Sequence, residues 1–384
     1  MRRPSFTIGI EEEYLVVDRE TRDLVAEPGE AFHADCRAAL GERVTAEFLQ
    51  CQVEVGTRPH ATVGAAIAEL GELRRGVAAA AEAHGFAAIA ASTHPFARWR
   101  RQSHTRKERY DGLWSDIGLP AWRMLICAMH VHVAIEDPDL RIDLMNQAAY
   151  FLPHLLALSG SSPFWEGDDT RLSSYRLTVF DALPRTGLPD ALGSDAEYRR
   201  LVERLVQTGC IEDGTKIWWD VRPSARFPTL EMRVTDICPR LADAAALAAC
   251  YQSLLGFLNR LREANERWRL YPATLVGENR WRAMRYGCEG ALIDHGAERL
   301  VPVAELVEEL IARLGPDAAA LGCGAELEGL RRIAAEGSSA RRQRAAREAA
   351  RAAGASEAEA LRAVVDQLIA EFLMPAEGAP WPAA

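Results

Sequence analysis

Four short segments of this chain alternate between apolar and polar side chains, and this pattern constrains the fold more than any other feature. They cover residues 7–17, 48–55, 126–135 and 229–234. In each segment one parity is apolar, and the other carries glutamate, glutamine, histidine or arginine. Because successive side chains of a strand point to opposite faces, each segment is predicted to be a β-strand with one buried face. Residues 216–222 are a fifth candidate.

The polar faces have an unusual composition. A solvated sheet face is the alternative interpretation, but such a face mixes lysine, threonine, serine and both charges. Here Glu11, Glu13, Glu54 and Glu231 dominate. Two carboxylates about 4 Å apart repel by about 4 kcal/mol at an effective dielectric of about 20. If these glutamates share a cavity, their pKa values are raised or cations lie between them.

Carboxylates combined with one imidazole suit Mg²⁺ or Mn²⁺ better than a metal that prefers thiolates. Glu47, just before its strand, is a further candidate ligand or an ordinary exposed glutamate. A rival interpretation starts from His130 and His132, which share one strand face. Two such histidines with a carboxylate can bind zinc, and this would indicate a metal-dependent hydrolase.

Basic side chains in the same segments predict phosphate binding. Arg233 shares a face with Glu231, and an arginine beside metal ions is typical of sites that transfer a phosphoryl group. Lys216, Arg222 and Arg226 are close in sequence and are candidates for contacts with a nucleotide. The chain has neither a GxxxxGK[ST] loop nor a GxGxxG motif after a strand. ATP is therefore expected to bind through metal ions and arginines.

Composition excludes some partners. The net charge of −10 argues against nucleic acid or an anionic membrane surface, because both attract basic proteins. The eight cysteines form no CxxC pair and are predicted to be reduced, mostly buried thiols. We find no secretory signal and no uncharged apolar stretch long enough to span a bilayer. The sequence thus predicts a cytoplasmic protein that binds small molecules.

Seven motifs together resemble the type 2 glutamate–cysteine ligases, a group of carboxylate–amine ligases. They are Gly-Ile-Glu-Glu-Glu-Tyr at 9–14, Glu-Phe-Leu-Gln-Cys-Gln-Val-Glu at 47–54, His-Val-His-Val at 130–133, Leu-Ser-Gly-Ser-Ser-Pro-Phe at 158–164, Lys-Ile-Trp-Trp-Asp-Val-Arg-Pro at 216–223, Leu-Glu-Met-Arg-Val-Thr-Asp at 230–236 and Glu-Asn-Arg-Trp at 278–281. Each motif alone is weak, but the seven follow the family's order over residues 6–287.

The resemblance implies an α+β fold, with a glutamine-synthetase-like curved antiparallel β-sheet flanked by helices. It also implies a reaction in two steps with ATP and Mg²⁺ or Mn²⁺. ATP first phosphorylates the γ-carboxylate of glutamate. The amine of cysteine then attacks the acyl phosphate, which gives γ-glutamylcysteine, ADP and phosphate. The partners are then amino acids and ATP, and the branch suggests a homodimer.

The motif positions also imply roles for individual residues. The metal-binding set is Glu11, Glu13, Glu47, Glu54, His130 and Glu231, and the residues predicted to be essential for catalysis are Arg233, Glu54 and Glu231. Typical bacterial glutamate–cysteine ligases have His-x-Asn where this chain has His130 and His132. His132 is therefore expected to contact nucleotide or substrate, or to modify a metal site. His94 and Arg176, in loops, are candidates for binding substrate carboxylates, and loop packing is the alternative.

Helix signals complete the prediction. Residues 1–300 are expected to form the catalytic core, and residues 301–384 a helical region packed on it, as one domain overall. Thr62 is expected to cap a helix that ends near Gly85, and further helices are predicted over 142–158, with a kink at Pro153, over 195–209 and over 241–267. Four or five tail helices are expected, with breaks at Gly315-Pro316, Gly322, Gly337 and Gly354.

Two other function classes remain open from the sequence. A metal-dependent amide hydrolase could use the same acidic sheet face without ATP. A nucleotide or metabolite sensor could bind ATP and magnesium without turnover. Release of ADP that requires both a carboxylate and an amine separates the ligase from both alternatives.

Overall fold

The structure is a computed structural model that describes residues 3–105 and 116–375. The strands are β1 (Ile8–Asp18), β2 (Val44–Ala46), β3 (Gln52–Gly56), β4 (Phe86–Ile89), β5 (Met129–Ala134), β6 (Phe164–Trp165), β7 (Asp168–Asp169), β8 (Thr186–Gly187), β9 (Trp218–Trp219), β10 (Val221–Pro223), β11 (Thr229–Met232), β12 (Ala291–Asp294) and β13 (Arg299–Pro302). The helices are α1 (Gly29–Leu40), α2 (Val63–Ala83), α3 (Leu119–Trp122), α4 (Pro138–Ala148), α5 (Leu152–Ser159), α6 (Arg176–Phe180), α7 (Asp195–Gln207), α8 (Leu241–Glu263), α9 (Ala273–Tyr286), α10 (Val303–Leu321), α11 (Gly324–Glu336), α12 (Ser339–Ala352) and α13 (Glu357–Phe372).

Seven strands form one antiparallel sheet, in which the path β10-β11-β5-β1-β3-β2 is joined by β4 pairing with β1. The long β1 lies at its centre and pairs with β3, β4 and β5. The predicted α+β class with an antiparallel sheet and flanking helices is confirmed. The four segments singled out by their alternation supply β1, β3, β5 and β11.

Helices cover the apolar face of the sheet. The α2 and α8 helices pack against it and against each other, and α10 and α11 pack on the outside of α8. By length and composition α8 could cross a membrane, but 94% of its most apolar window is buried inside the protein. Among the residues described, it is therefore the central helix of the core. The division at residue 300 stays a prediction, and residues 376–384 of the predicted tail lie outside the described range.

One buried ion pair ties this helical layer to the central strand. Glu12 points to the apolar face, and its carboxylate accepts hydrogen bonds of 2.6 Å and 2.9 Å from Arg74 of α2. The Tyr14 hydroxyl donates to the same carboxylate at 2.6 Å. Arg74 also donates to the backbone carbonyls of Cys238 and Pro239. Every strong donor in this group therefore has an acceptor, as burial requires.

Most predicted elements are present, with local corrections. Thr62 caps α2 through a hydrogen bond from Ala65, and Ser194 caps α7. The 142–158 helix is broken by a 3₁₀ turn at Ala149–Phe151, before Pro153, into α4 and α5. Residues 48–51 precede β3 rather than extending it. The 216–222 segment is split between β9 and β10, which pair with different strands.

The tail forms four helices in the described region, and the predicted breaks at Gly322, Gly337 and Gly354 are confirmed. The predicted break at Gly315-Pro316 is wrong, because α10 continues through Pro316. Its apolar side remains buried on α8, and Asp317 forms an ion pair of 2.8 Å with Arg260 of that helix. Packing on α8 thus outweighs the hydrogen bond that proline cannot donate.

Replacing Arg74 by methionine should destabilise the protein strongly. The substitution preserves much of the side-chain volume but leaves the carboxylate of Glu12 buried without its cation. Breaking a buried pair in this way costs about 3–5 kcal/mol. We expect a loss of this size in the free energy of unfolding, measured by urea denaturation.

The matched control is Arg19→Met, which removes an exposed pair with Glu82. Such surface pairs contribute about 0.2–1 kcal/mol. Equal losses in the two variants would contradict the role assigned to Arg74.

Candidate active site

A cavity of about 420 Å³ lies over the polar face of the sheet. Its volume suits a small-molecule site. The predicted site residues that line it are Glu11, Glu13, Glu47, Glu54, His130, His132, Arg176, Lys216, Arg222, Arg226, Glu231 and Arg233. The sheet therefore brings together groups that are up to about two hundred residues apart in the sequence.

Strand register places the ionisable groups opposite one another. Glu11 on β1 lies opposite His130 on β5, and Glu13 lies opposite Glu54 on β3. His132 on β5 lies opposite Glu231 on β11, which in turn faces Arg222 on β10. Opposed side chains of an antiparallel pair have their Cβ atoms about 5 Å apart, so each pair interacts directly.

One side of the cavity combines carboxylates with imidazoles. Ligand atoms of Glu11, His132 and Glu231 all lie within 4.8 Å of one another. Glu11 has its two carboxylate oxygens 3.5 Å from His130 Nδ1 and 3.5 Å from His132 Nε2. Burial opposes ionisation of Glu11, but the two imidazoles outweigh it and hold its pKa well below the usual range. Burial also opposes the charged form of His132, yet Glu11 and Glu231 raise its pKa.

The other side of the cavity holds carboxylates with few positive neighbours. Burial and the charge of Glu47 raise the pKa of Glu13 to about 8. Burial and the charges of Glu47, Glu11 and Glu13 raise the pKa of Glu54 well above its usual range. Glu13 accepts a hydrogen bond of 2.8 Å from the Ala128 amide. These three side chains, Glu13, Glu47 and Glu54, form what we call the acidic cluster.

Two arginines compensate Glu231. Arg222 donates to its two oxygens at 2.9 Å and 3.2 Å, and Arg233 Nη1 donates to Oε1. Burial raises the cost of ionising Glu231, but these two guanidinium groups lower its pKa far below the usual range. Arg222 also donates to the carbonyls of Thr215 and Ile217. Arg222 is thus engaged by protein acceptors, and its geometry fits positioning Glu231 better than the predicted nucleotide contact.

The three remaining basic side chains of the predicted site differ in how exposed they are at the cavity. Arg226 is exposed at the cavity wall, and Lys216 lies there with Nζ 3.5 Å from Glu212. Arg176 is buried and donates to the backbone carbonyls of Arg233 and Val234. Arg176 therefore supports the segment that carries Arg233 as well as lining the cavity.

The structure does not bring His94 together with the other predicted site residues. Its side chain is buried outside the described cavity lining. Nε2 lies 2.9 Å from the Arg22 carbonyl, and Nδ1 accepts hydrogen bonds from the Phe96 and Ala97 amides. Burial lowers its pKa to about 4. Both ring nitrogens are satisfied by the backbone, so loop packing is the role that the geometry gives to His94.

Asp236 is a supporting residue that the sequence reasoning missed. It is fully buried and accepts hydrogen bonds from the Ser161 amide and from the hydroxyls of Ser162 and Ser174. Two of the quoted motifs, at 158–164 and 230–236, thus meet at one carboxylate. The serine-rich composition of the first motif was the available signal, since each serine hydroxyl is a donor that a buried carboxylate can accept.

A second support is a clamp made by Arg280 of α9. Its guanidinium donates to both oxygens of Asp220 and to both oxygens of Asp181. The Asp220 carbonyl accepts a hydrogen bond of 2.8 Å from the Arg233 amide. Regular strand alternation over residues 216–222 would place Asp220 on a face with Lys216 and Arg222, but its side chain contacts Arg280 instead. The Glu-Asn-Arg-Trp motif at 278–281 therefore steadies the cavity wall from outside.

The donor set fits hard divalent cations. The acidic cluster places three carboxylates together, and burial with the negative charge of its neighbours raises the pKa values of Glu13 and Glu54. Carboxylate oxygens with an imidazole are the ligands that Mg²⁺ and Mn²⁺ accept. Seven of the eight cysteines are buried and all are free thiols. None of them lines the described cavity, so thiolate coordination has no support there.

Comparison with known proteins identifies the family. A sequence model of the glutamate–cysteine ligase family 2 matches residues 7–367. The chain belongs to glutamate–cysteine ligase family 2. A protein of Rhodospirillum rubrum, provisionally named glutamate–cysteine ligase 2, is 56% identical over the full length of both chains. A protein of Ruegeria pomeroyi with the same provisional name is 57% identical and covers 96% of this chain and 94% of its own.

Solved structures agree with this assignment at the level of the fold. The glutamate–cysteine ligase of Francisella tularensis, solved in complex with AMP, aligns with a TM-score of 0.68 at 14% identity, over 95% of this chain and 88% of its own. A bifunctional glutathione synthetase of Pasteurella multocida gives 0.67 at 16% identity, over 95% and 52%. Membership of the family makes this chain an ATP-dependent enzyme that forms carbon–nitrogen bonds.

The raised pKa of Glu13 predicts how stability depends on pH without metal. Between its ordinary value of 4.5 and its folded value of about 8, the unfolded chain loses this proton and the folded protein keeps it. The folded state then binds more protons, so the stability of the metal-free protein should fall as pH rises through this window. Melting temperatures measured with EDTA from pH 5 to pH 8 should decline by several degrees.

Adding Mn²⁺ should restore stability most at the upper end of this window, because the cation favours the ionised carboxylates. In Glu13→Gln the decline should be shallower, since the substituted group does not titrate. Identical slopes for the wild type and Glu13→Gln would show that Glu13 is not the group responsible.

Proposed function

We propose that this enzyme joins the γ-carboxylate of glutamate to the amine of cysteine, using ATP and an acyl-phosphate intermediate. The observation that carries the proposal is the position of Arg233, whose guanidinium lies in the cavity between Glu231 and the acidic cluster. Its pKa is raised by the surrounding carboxylates although burial opposes this. A permanent positive charge is thus fixed where divalent cations and phosphates would meet.

The metal-binding residues are proposed to be Glu11, Glu13, Glu47, Glu54 and Glu231, with one imidazole. When bound, Mg²⁺ or Mn²⁺ would neutralise the charge of the nucleotide phosphates. Glu231 is kept ionised by its two arginines, while Glu13 and Glu54 ionise as cations arrive. One side of the cavity is therefore negatively charged before a metal ion binds, and the other side becomes negatively charged only when a metal ion binds.

Arg233 is the proposed stabiliser of the phosphoryl group in transfer. Its Nε has no hydrogen-bond partner within the described residues, although the atom is buried. An unsatisfied buried donor is costly unless a ligand accepts from it. A phosphoryl oxygen would supply that acceptor. Lys216 and Arg226, farther along the cavity wall, are proposed to contact the remaining phosphates.

The choice of glutamate and cysteine rests on the family and on the names of its relatives. Binding the glutamate carboxylates would require positive groups near the acidic cluster, and Arg176 is the proposed candidate. The cytoplasmic location and the homodimer implied by the sequence resemblance stay predictions.

The decisive experiment measures ADP release from ATP with Mg²⁺ or Mn²⁺. We expect ADP release to require both glutamate and cysteine, and the product to contain a new amide bond by mass spectrometry. ADP released with glutamate and a different amine would keep the ligase chemistry and change the second substrate. Amide hydrolysis without ATP, or ATP binding without turnover on any pair, would overturn the proposal.

Two charge-removing variants should both lose activity but differ in stability. Glu54→Gln should reduce turnover at least about 100-fold and should stabilise the metal-free protein at neutral pH, because the neutral amide does not have to take up a proton on folding as Glu54 does. Glu231→Gln should also lose turnover but should destabilise the protein by about 3 kcal/mol, since it leaves Arg222 and Arg233 without their carboxylate. Steady-state kinetics and urea denaturation measure the two effects.

Glu72→Gln is the matched control, because Glu72 is an exposed glutamate on α2 outside the cavity lining. It should change neither quantity. Retained activity in Glu54→Gln, or the same stability change in both active-site variants, would count against the separate roles given to the two carboxylates.

A further inference from the structure

Arg176, the proposed anchor of a substrate carboxylate, uses only part of its hydrogen-bonding capacity within the protein. Nη2 donates to the Arg233 carbonyl at 2.8 Å, and Nη1 donates to the Val234 carbonyl at 3.3 Å. A guanidinium group has five N–H donors, so three of them have no acceptor in the part of the chain that the structure describes. Arg176 lines the cavity although its side chain is almost fully buried. A carboxylate bound in the cavity would be the acceptor for these donors.

The counter-ion of this guanidinium lies outside the described cavity lining. It is Asp236, whose Oδ1 is 3.8 Å from Arg176 Nη1. This distance is longer than a hydrogen bond, so the two groups attract each other through their charges. Burial lowers the pKa of Arg176, and the negative charge of Asp236 is the largest influence that opposes this. Asp236 therefore favours the charged form of the proposed anchor.

Three donors hold the carboxylate of Asp236 in place. Oδ2 accepts hydrogen bonds from the Ser161 amide at 2.9 Å and from the Ser162 hydroxyl at 2.7 Å. Oδ1 accepts a hydrogen bond from the Ser174 hydroxyl at 2.8 Å. Hydrogen bonds to an ionised carboxylate are strong and directional, so the position of this negative charge is fixed.

Ser162 connects Asp236 to Arg176 a second time. Its hydroxyl donates to Asp236 and accepts a hydrogen bond of 3.0 Å from the backbone amide of Arg176. Ser174, which also donates to Asp236, lies two residues before Arg176 in the chain. Both the backbone and the guanidinium group of Arg176 are thus placed relative to one carboxylate.

A purely structural role for Asp236 is the alternative interpretation. Such a role would explain its burial and its serine partners, but it would not require a cavity-lining arginine as counter-ion. The positive charge of Arg233 acts against the charged form of Arg176, and Asp236 offsets this repulsion. Removing the charge of Asp236 would leave two guanidinium groups near each other without the buried carboxylate that holds one of them in place.

We propose that Asp236 is a positioning residue for the carboxylate substrate, because its fixed negative charge orients Arg176 so that the remaining donors of Arg176 point into the cavity. This inference rests on the proposed function, in which Arg176 binds the carboxylates of glutamate. ATP is proposed to be bound by other residues of the cavity, so its binding should not depend on Asp236.

The variant Asp236→Asn keeps the side-chain volume and an acceptor for Ser161 and Ser162 but removes the charge. Glutamate binding is measured by isothermal titration calorimetry of the full-length protein with Mg²⁺ and a non-hydrolysable ATP analogue. The dissociation constant of glutamate should rise about 10-fold, since a charge-assisted contact is lost. That of the ATP analogue should stay within about twofold. Partial unfolding would reduce the number of binding sites without changing either constant, so the difference separates positioning from a structural role.

A double-variant comparison shows whether Asp236 acts through Arg176. Arg176→Lys keeps the positive charge but loses the planar fork of donors, and it should weaken glutamate binding at least about 10-fold. Adding Asp236→Asn to Arg176→Lys should weaken binding by less than about twofold more, because residues that act through one another are not additive. Additive losses would overturn the proposal.

Ser162→Ala decides the question if Asp236→Asn does not fold, as judged by circular dichroism. It removes one link to Asp236 and one to Arg176, and it should weaken glutamate binding about 3–5-fold. The matched control is Ser253→Ala, because Ser253 is a buried serine of α8 whose hydroxyl lies 3.3 Å from the Cys323 sulfur. The control should change neither constant.

Unchanged glutamate affinity in the folded variant that is measured, or equal weakening of glutamate and the ATP analogue, would contradict the role given to Asp236. Binding is measured without turnover, so this failure differs from failure of the proposed reaction. If the variants bind glutamate as expected but no amine leads to ADP release, the reaction fails and the inference stands. If ADP release requires glutamate and cysteine and Asp236→Asn binds glutamate normally, the inference fails and the reaction stands. No glutamate binding by the wild type would overturn both.

Discussion

The buried ion pair between Glu12 and Arg74 is the constraint on which the active site depends. Glu11, Glu12 and Glu13 are consecutive, and a shift of one residue in β1 would exchange the faces of all three. Arg74 opposes this shift, because its guanidinium balances the single carboxylate of Glu12, whereas the shifted register would bury both Glu11 and Glu13 beside one guanidinium. The same register places Glu11 opposite His130 and Glu13 opposite Glu54. A stabilising contact on one face of the sheet thus specifies the reactive face.

Charge compensation in the cavity is uneven, and this has consequences for folding as well as function. Arg222 and Arg233 compensate the charge of Glu231, so its carboxylate stays ionised. Arg176 and Arg233 act on Glu13 only through space, and burial with repulsion among the carboxylates raises the pKa of Glu13 and Glu54. Holding repelling carboxylates together lowers the stability of the folded protein, so such a cluster is expected where a function gains from it. Cation binding is the gain that the proposed reaction would supply.

The alternation of apolar and polar side chains predicted the strands and their faces, because it is a property of consecutive residues. It could not predict register, since nothing in β5 alone states that His132 will face Glu231. The same limit applies to two of the predicted site residues. His94 was predicted to bind substrate, but its ring nitrogens are hydrogen-bonded to the carbonyl of Arg22 and to two loop amides. Arg222 was predicted to contact the nucleotide, but it donates to Glu231 on β11 and to backbone carbonyls just before β9. Partners that are distant in sequence decided each case.

The two histidines of β5 show how far this reasoning extends. They are two residues apart on one strand, share a face and have identical side chains, so no property of the segment distinguishes them. Their neighbours do. Arg233, just beyond β11, approaches His130, whereas Thr229, at the start of β11, approaches His132. The order of residues along β11 therefore sets which imidazole lies beside a guanidinium group and which lies beside a hydroxyl. A function carried by one strand is in this way specified by the strand that pairs with it.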